Sequence, residues 1–543
     1  MTTSPSAAEP PLGAEIVDVT RRIADGYRSV GATVTIGAVV SQGRSDPQAQ
    51  VSIPLSMFNR HGLVAGATGT GKTKTLQLIA EQLSAAGVPV FMPDVKGDLT
   101  GLAVAGVSSD RIAARAAETG DSWQGQGCPV EYLSIAGQGS ATPIRASIDS
   151  FGPILLSKVL ELNDTQESTL GLIFHWADAQ NLPMLDLKDL RAVIVHLTSA
   201  EGKADLAGLG GVSKATAGVI LRALANLEAD GGDLFFGETQ LEVADLLRLV
   251  DGRGVISLLD AKGVQTRPAL FSTFLMWLLS ELFEELPEAG DLDRPRLVFL
   301  FDEAHLLFAD ASKAFLTAVQ QTVKLIRSKG VGVFFCTQLP TDVPAAVLSQ
   351  LGARVQHALR AFTPQDQEAL STTVKTYPTT KDYDLASALT SLGTGEAIVT
   401  VLSETGAPTP VAWTRVRAPR SLMGPAPADQ VTAAIAGSPL QVKYAIAVDR
   451  NSAYEMLTAR LTPVPVPAPA PAPRPFPSPT SRPAPEPSRR PEPVPRPMPE
   501  AEQGGLLGEL AQNPAVKAFW RSMGSAVGGA VGRSISGTRR RRR

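Results

Sequence analysis

Two cysteines, Cys128 and Cys336, are all that the 543 residues hold, far apart and without C-x-x-C spacing. That excludes a disulfide framework and argues against a zinc site, so both are read as structural thiols. Histidine is scarce too. His61, His175, His196 and His357 show no metal spacing, and none is assigned a catalytic task. No uninterrupted apolar run reaches the roughly 18 residues that a membrane span needs, and the acidic, proline-bearing start lacks the basic-then-apolar order of a signal peptide. The expectation is a cytoplasmic chain with no integral membrane segment. A strong overall charge is also missing, the net being −3. From Pro463 onward, however, 13 Arg and Lys stand against 5 Glu, a net +8, which leaves −11 on residues 1–462. So acidic a body does not coat itself with nucleic acid, and any DNA contact needs a local basic lining or the tail.

What is present is centred on His61 to Ala80, which reads as an apolar strand, a glycine-rich loop and a helix striped by Leu76, Ile79 and Leu83. Gly66, Gly71, Lys72 and Thr73 fit G-x-x-x-x-G-K-[ST], a phosphate-binding loop. Its glycines let backbone N–H groups close round a triphosphate, Lys72 neutralises the β and γ oxygens, and the Thr73 hydroxyl holds Mg²⁺. The positive end of the helix adds to the cradle. The nucleotide-binding set is Gly66, Ala67, Thr68, Gly69, Thr70, Gly71, Lys72 and Thr73.

Hydrophobic content of 44% is that of a globular chain, and the length allows about three or four domains. Around the loop, apolar runs and helical stripes alternate, which implies an α/β fold with a mainly parallel sheet covered on both faces. Strands are expected at Ala32–Ser41, Val88–Leu99, Glu131–Ile135, Gly254–Asp260, Pro295–Phe308, Gly330–Pro340, Ala353–Leu359 and Glu396–Leu402. Asp94, Lys96 and Asp98 end the second of these and should lie beside the phosphate site, because ligands sit at the carboxyl ends of such strands. Helices are expected over Leu270–Leu286 and Lys313–Lys329.

The expected organisation is a flexible start with a short helix (1–30), a small N-terminal β element (31–60), a first part of the nucleotide fold (61–143), a helical insertion (144–250) and a second part of the fold (251–462). A proline-rich linker (463–503) comes next, disordered and extended because it cannot bury a core. Last is a glycine-rich basic tail (504–543) with an apolar seam at Val516, Phe519, Trp520, Met523, Val527, Val531 and Ile535. Docking on an ATPase body, contact with an anionic membrane or DNA, and capture of a protein partner all remain open for that tail.

Asp302 and Glu303 end an apolar strand and form a Walker B pair: Asp302 for the Mg²⁺ shell, Glu303 as general base toward the attacking water. Gln338 ends a later strand and is the candidate sensor for the γ-phosphate or the lytic water; a polar strand-end cap is the alternative. His305 completes D-E-A-H, yet a two-lobed helicase would need a second nucleotide lobe, and the sequence shows none. It is read as a structural or coupling residue. With one phosphate loop, the arginine that steadies charge on the γ-phosphate must come from a neighbouring subunit. Arg327 is the candidate, with Arg354 and Arg360 in reserve; a plain cation at a helix C-terminus is the alternative for Arg327.

The blocks GATGTGKT, MPDVKGDLTGL, LFDEAHLLF, LIRSKGVGVFFCTQ and LGARVQHALRAFTPQDQ, after Ile53-Pro54-Leu55 and Asn59-Arg60-His61, resemble the HerA-like ATPases of the HerA/FtsK division of RecA-like motors. More narrowly they resemble the bacterial YjgR-type branch of helicase HerA-like proteins, and the resemblance covers about residues 30–420. The N-terminal β segment is short beside that of archaeal HerA, and the helical insertion and tail are additions. The resemblance implies a RecA-like ATPase that uses ATP and Mg²⁺, assembles as a ring, commonly a hexamer, and moves double-stranded DNA through its pore. It also places Arg327 in the segment that such motors set at the subunit interface. Two other readings stand beside this one: an ATP-dependent switch or scaffold for protein partners, and a polypeptide pump.

Overall fold

The computed structural model describes residues 12–461 except 136–138, 140, 207–209, 264–267, 291 and 309–312. The proline-rich linker and the basic tail expected beyond 462 lie outside the described residues. Among the described residues no helix is long and apolar enough to cross a membrane.

In chain order the described strands are β1 Thr33–Ser41, β2 Arg44–Pro54, β3 Gly62–Ala65, β4 Val90–Asp94, β5 Val130–Ile135, β6 Thr142–Ile144, β7 Leu249–Val250, β8 Arg253–Gly254, β9 Ile256–Asp260, β10 Leu297–Phe301, β11 Val331–Thr337, β12 Ala353–Gln356, β13 Glu396–Thr400 and β14 Ala412–Val416. β7 and β8 form a short ribbon, and the others make one twelve-stranded sheet in the order β2-β1-β14-β13-β12-β3-β11-β10-β4-β9-β5-β6. From β12 to β6 every neighbouring pair is parallel. β13, β14, β1 and β2 continue the sheet as an antiparallel edge.

Parallel neighbours need crossovers, which cover both faces and let the central strands be apolar throughout. β10 and β11 are buried at every position. Successive residues then feed opposite faces: Phe299, Phe301, Val333 and Phe335 join one core, while Val298, Leu300, Phe334 and Cys336 join the other, which also takes in Leu76, Ile79 and Leu83 of the helix Lys72–Ala85. The helical insertion shares the first core, since Leu170, Ile173, Leu190, Ile194 and Leu224 pack in one cluster with Phe91 and Phe299. Phe151 stacks on Trp277, Phe274 tilts against it and Phe235 meets it edge-on, tying the insertion to the long buried helix Pro268–Glu285.

Two local readings change. The segment expected as a small N-terminal β element beside the nucleotide fold is continuous with the same sheet and forms its edge, because β1 pairs with β14 through Gly37 opposite Val416. Residue 37 has to be glycine there: a Cβ would fall 1.9 Å from the Arg415 carbonyl oxygen. β14 is not among the strands expected from the sequence, and neither is this pairing; it alternates buried Ala412, Thr414 and Val416 with half-buried Trp413 and Arg415 rather than running apolar throughout. The helix expected over Lys313–Lys329 keeps α geometry only to Leu325 and tightens into a 3₁₀ turn over Ile326–Lys329, closed by Gly330 at φ 76°.

Candidate nucleotide site

The loop Gly66–Thr73 leaves the carboxyl end of β3 and is pinned by its two neighbours. The Gly66 N–H donates to the Thr337 and Gln338 carbonyls, 3.2 Å each, and the Ala67 N–H to the Ala358 carbonyl at 2.8 Å. Gly66 has φ 148° and Gly71 φ 115°, and a Cβ on Gly66 would lie 2.5 Å from the Cβ of His357. Glycine is therefore required at both positions, at Gly66 by contact as well as by backbone angle. Lys72 is buried, and its Nζ donates to the Ala67 carbonyl at 3.2 Å, folded back over the loop. His357 braces the first turn of the helix that follows the loop through a 2.8 Å hydrogen bond between its Nε2 and Thr75 Oγ1. Burial lowers the His357 pKa to about 4, so the ring is neutral at pH 7.

β10 stands two strands from β3, with β11 between them. It delivers Asp302 and Glu303 to the same edge, both buried. The Thr73 hydroxyl donates to Asp302 Oδ2 at 3.1 Å. These are two hard oxygen donors of the kind Mg²⁺ takes alongside substrate phosphates, so the residues present fit that ion. Among the described residues, no three His, Cys, Asp or Glu gather as a metal cluster. Burial, with the like charge of Glu303, raises the Asp302 pKa, and hydrogen bonds from Cys336, the Glu303 amide and Thr73 work against the rise. Burial also pushes the Cys336 thiol well above its ordinary value, which keeps it a neutral donor.

Glu303 has φ 50°, a left-handed value that a non-glycine residue seldom holds. Its carboxylate makes an ion pair with Lys96, and its Oε2 lies 3.3 Å from His305 Nδ1. Gln338 is exposed at the carboxyl end of β11, beside the loop whose Gly66 it anchors. Lys72, Thr73, Asp302, Glu303 and Gln338 thus meet beyond the carboxyl ends of the central strands β3, β11 and β10.

Arg327 does not join them within the chain. It precedes β11, so that strand's seven residues, roughly 20 Å of extended backbone, separate it from the loop edge. There it lines a cleft of about 520 Å³ with Arg60, Lys324, Arg354 and Tyr377, and among the described residues no acidic one lines that cleft. Arg360 is exposed beyond the other end of β12. The sequence pattern put Lys96 at the right edge but gave it no role. It gave His357 no task, because the only signal there is a lone histidine within the expected strand Ala353–Leu359.

A family model described as helicase HerA-like C-terminal matches residues 40–543. No curated protein matches the chain. Among solved structures, the bacterial conjugative coupling protein TrwB in its unbound monoclinic form is similar at 15% identity and a TM-score of 0.46, over 75% of this chain and 94% of that one. TrwB in complex with ADP and Mg²⁺ is similar at 15% identity and 0.44, over 73% and 99%. VirB4 of Thermoanaerobacter pseudethanolicus is similar at 16% identity and 0.45, over 72% and 98%. These likenesses are faint, whereas the family match spans nearly the whole chain and agrees with the motif blocks read in the sequence. The chain belongs to the helicase HerA-like C-terminal family.

Proposed function

We propose that the chain is a cytoplasmic, Mg²⁺-dependent ATPase that works as a homo-oligomeric ring, a hexamer, and moves double-stranded DNA. The observation that carries the ATPase reading is the convergence of Lys72, Thr73, Asp302 and Glu303 at the carboxyl ends of β3 and β10, with Thr73 and Asp302 3.1 Å apart. Lys72 and the loop amides bind the β- and γ-phosphates. Thr73 and Asp302 would hold Mg²⁺, which would neutralise charge on the phosphate oxygens. Glu303 takes the proton of the attacking water, and Gln338 orients that water from the neighbouring strand. Arg327 acts on the nucleotide of the adjacent subunit, a reading supported by its distance from the loop of its own chain and by the acid-free cleft it lines.

The DNA reading rests on the family and on charge. With −11 on residues 1–462 and +8 beyond them, attraction to a polyanion is confined to the tail and to local basic linings. The test is ATP turnover with and without duplex DNA at two salt concentrations. Stimulation of several-fold that weakens as salt rises is the expected result. A flat response removes the DNA motor and leaves an ATP-driven switch for protein partners.

A further inference from the structure

β4 and β10 are adjacent parallel strands, Val90 opposite Val298 and Phe91 opposite Phe299, so the turn after Asp94 stands beside the acidic pair after Phe301. The Asp94 carboxylate accepts hydrogen bonds from the Gly97 and Leu99 amides at 2.7 and 3.2 Å, folding residues 94–99 into a tight turn. Gly97 closes it at φ 78°, and a Cβ there would lie 2.5 Å from the Lys262 side chain. That turn aims Lys96 at the end of β10, where its Nζ pairs with Glu303 Oε1. His305 stands on the other side, 3.3 Å from Oε2. The backbone beneath is fixed as well, since the Ala304 N–H donates to the Cys336 carbonyl at 2.7 Å. Of the two carboxylate oxygens of Glu303, Oε1 is paired with Lys96, whereas Oε2 is buried without a hydrogen-bond partner among the described residues.

We infer that Lys96 is a positioning residue: its ammonium, aimed by the Asp94 turn, holds the Glu303 carboxylate in the orientation from which it takes a proton from the attacking water. The inference rests on the reading of Glu303 as general base. Two buried carboxylates in succession, Asp302 and Glu303, repel each other, and without a cation on its outer side Glu303 swings away from Asp302 toward water. Lys96 is suited to the task because its side chain is 51% exposed while that of Glu303 is 8% exposed. It reaches a buried acid from the surface and is not itself needed to fill the core. A general base contributes about 10²–10⁴ in rate only when it lies within hydrogen-bond reach in the right orientation, so the effect of losing Lys96 belongs in kcat.

The test uses the full chain and the variants Lys96→Met, Lys96→Arg, Glu303→Gln and the double variant Lys96→Met/Glu303→Gln. Phosphate release gives kcat and KM, titration with fluorescent ATP and ADP analogues gives affinity, and thermal unfolding reports the fold. Lys96→Met should lower kcat about tenfold or more, with KM and both affinities within about twofold. Lys96→Arg should recover part of the loss, and Lys96→Met should add nothing to Glu303→Gln, because the two act as one unit. A Lys96→Met protein with wild-type kcat overturns the inference. So does one that loses affinity for the ATP analogue and keeps it for ADP, which assigns Lys96 to the terminal phosphate instead. If Lys96→Met lowers the unfolding midpoint sharply, Lys96→Arg decides, and failure of the arginine to restore kcat in a stable fold counts against positioning. Wild-type turnover in Glu303→Gln would sink the general-base reading itself, whereas an inactive Glu303→Gln beside an unaffected Lys96→Met removes Lys96 alone.

Discussion

The Thr73 hydroxyl and the Asp302 carboxylate stand 3.1 Å apart although 229 residues separate them in the chain. Everything between them, including the helical insertion, is arranged so that β3 and β10 end at one edge with a single strand between. On the function proposed above, Lys72, Thr73 and Asp302 would serve binding and Glu303 proton transfer.

That division is separable by substitution. Glu303→Gln should keep nucleotide affinity within a few-fold, because Lys72, Thr73 and Asp302 are untouched, and should lose about two orders of magnitude or more in turnover. Lys72→Ala should weaken affinity directly. Fluorescent-nucleotide titration together with phosphate release distinguishes the two, and equal losses of affinity in both variants would contradict the assignment.

Arg327 should act across a subunit boundary. Arg327→Ala and Glu303→Gln proteins are each expected to be nearly inactive, but a ring co-assembled from both contains interfaces where an intact Glu303 site meets an intact Arg327. Partial recovery of ATP turnover on mixing is the expected result. A mixture that stays at the level of the single variants, or an Arg327→Ala protein with normal turnover, moves the role to Arg354 or Arg360.

Gly66→Ala should both destabilise the fold and weaken nucleotide binding. Its φ of 148° and the 2.5 Å approach of His357 Cβ leave no room for a methyl group, and the strain should exceed about 1 kcal/mol. Gly69, at φ 80° with nothing within 4 Å of its would-be Cβ, meets backbone strain alone, so Gly69→Ala should cost less. Denaturant unfolding of the two variants measures the difference, and equal stability would show that contact with His357 is unimportant.

His61 should make stability depend on pH. Its Nε2 donates to the Val323 carbonyl at 2.7 Å, and its Nδ1 accepts from the Val333 N–H at 3.0 Å, which fixes a neutral ring between β11 and the helix leading to Arg327. Burial, helped by the charge of Arg327, lowers its pKa to about 4 against an ordinary 6.5. The unfolded chain thus takes up a proton first as pH falls. The stabilising contribution is complete above about pH 6.5 and declines as pH drops toward 4, by on the order of 3 kcal/mol. Denaturation of wild type and His61→Gln over that range should show the gap between them narrowing as the solution is acidified; a constant gap would count against it.

Much of the site was legible in the sequence because its pieces are local. A glycine-rich loop after an apolar strand, or an acidic pair ending a buried strand, carries its geometry in neighbouring residues. Lys72, Thr73, Asp302, Glu303 and Gln338 could each be named from such context, and so could the parallel sheet, since buried parallel strands must read as unbroken apolar runs. The RecA-like character and the HerA-like family likewise emerged from motif blocks in order.

Other relationships depend on which strands become neighbours, and no local pattern encodes that. β14 alternates rather than running apolar throughout, and its place between β13 and β1 comes from the sheet order. The same pairing turns the N-terminal segment into a sheet edge. His357 matters because β12 lies next to β3 and carries its ring under Thr75, and Lys96 acquires its partner because β4 lies next to β10. The sequence by itself determined the chemistry available at each strand end, since that depends on residue type and short-range context. Tertiary structure alone decided which ends stand within hydrogen-bond reach, because strand order comes from long-range burial of two apolar faces, to which residues hundreds of positions apart contribute equally.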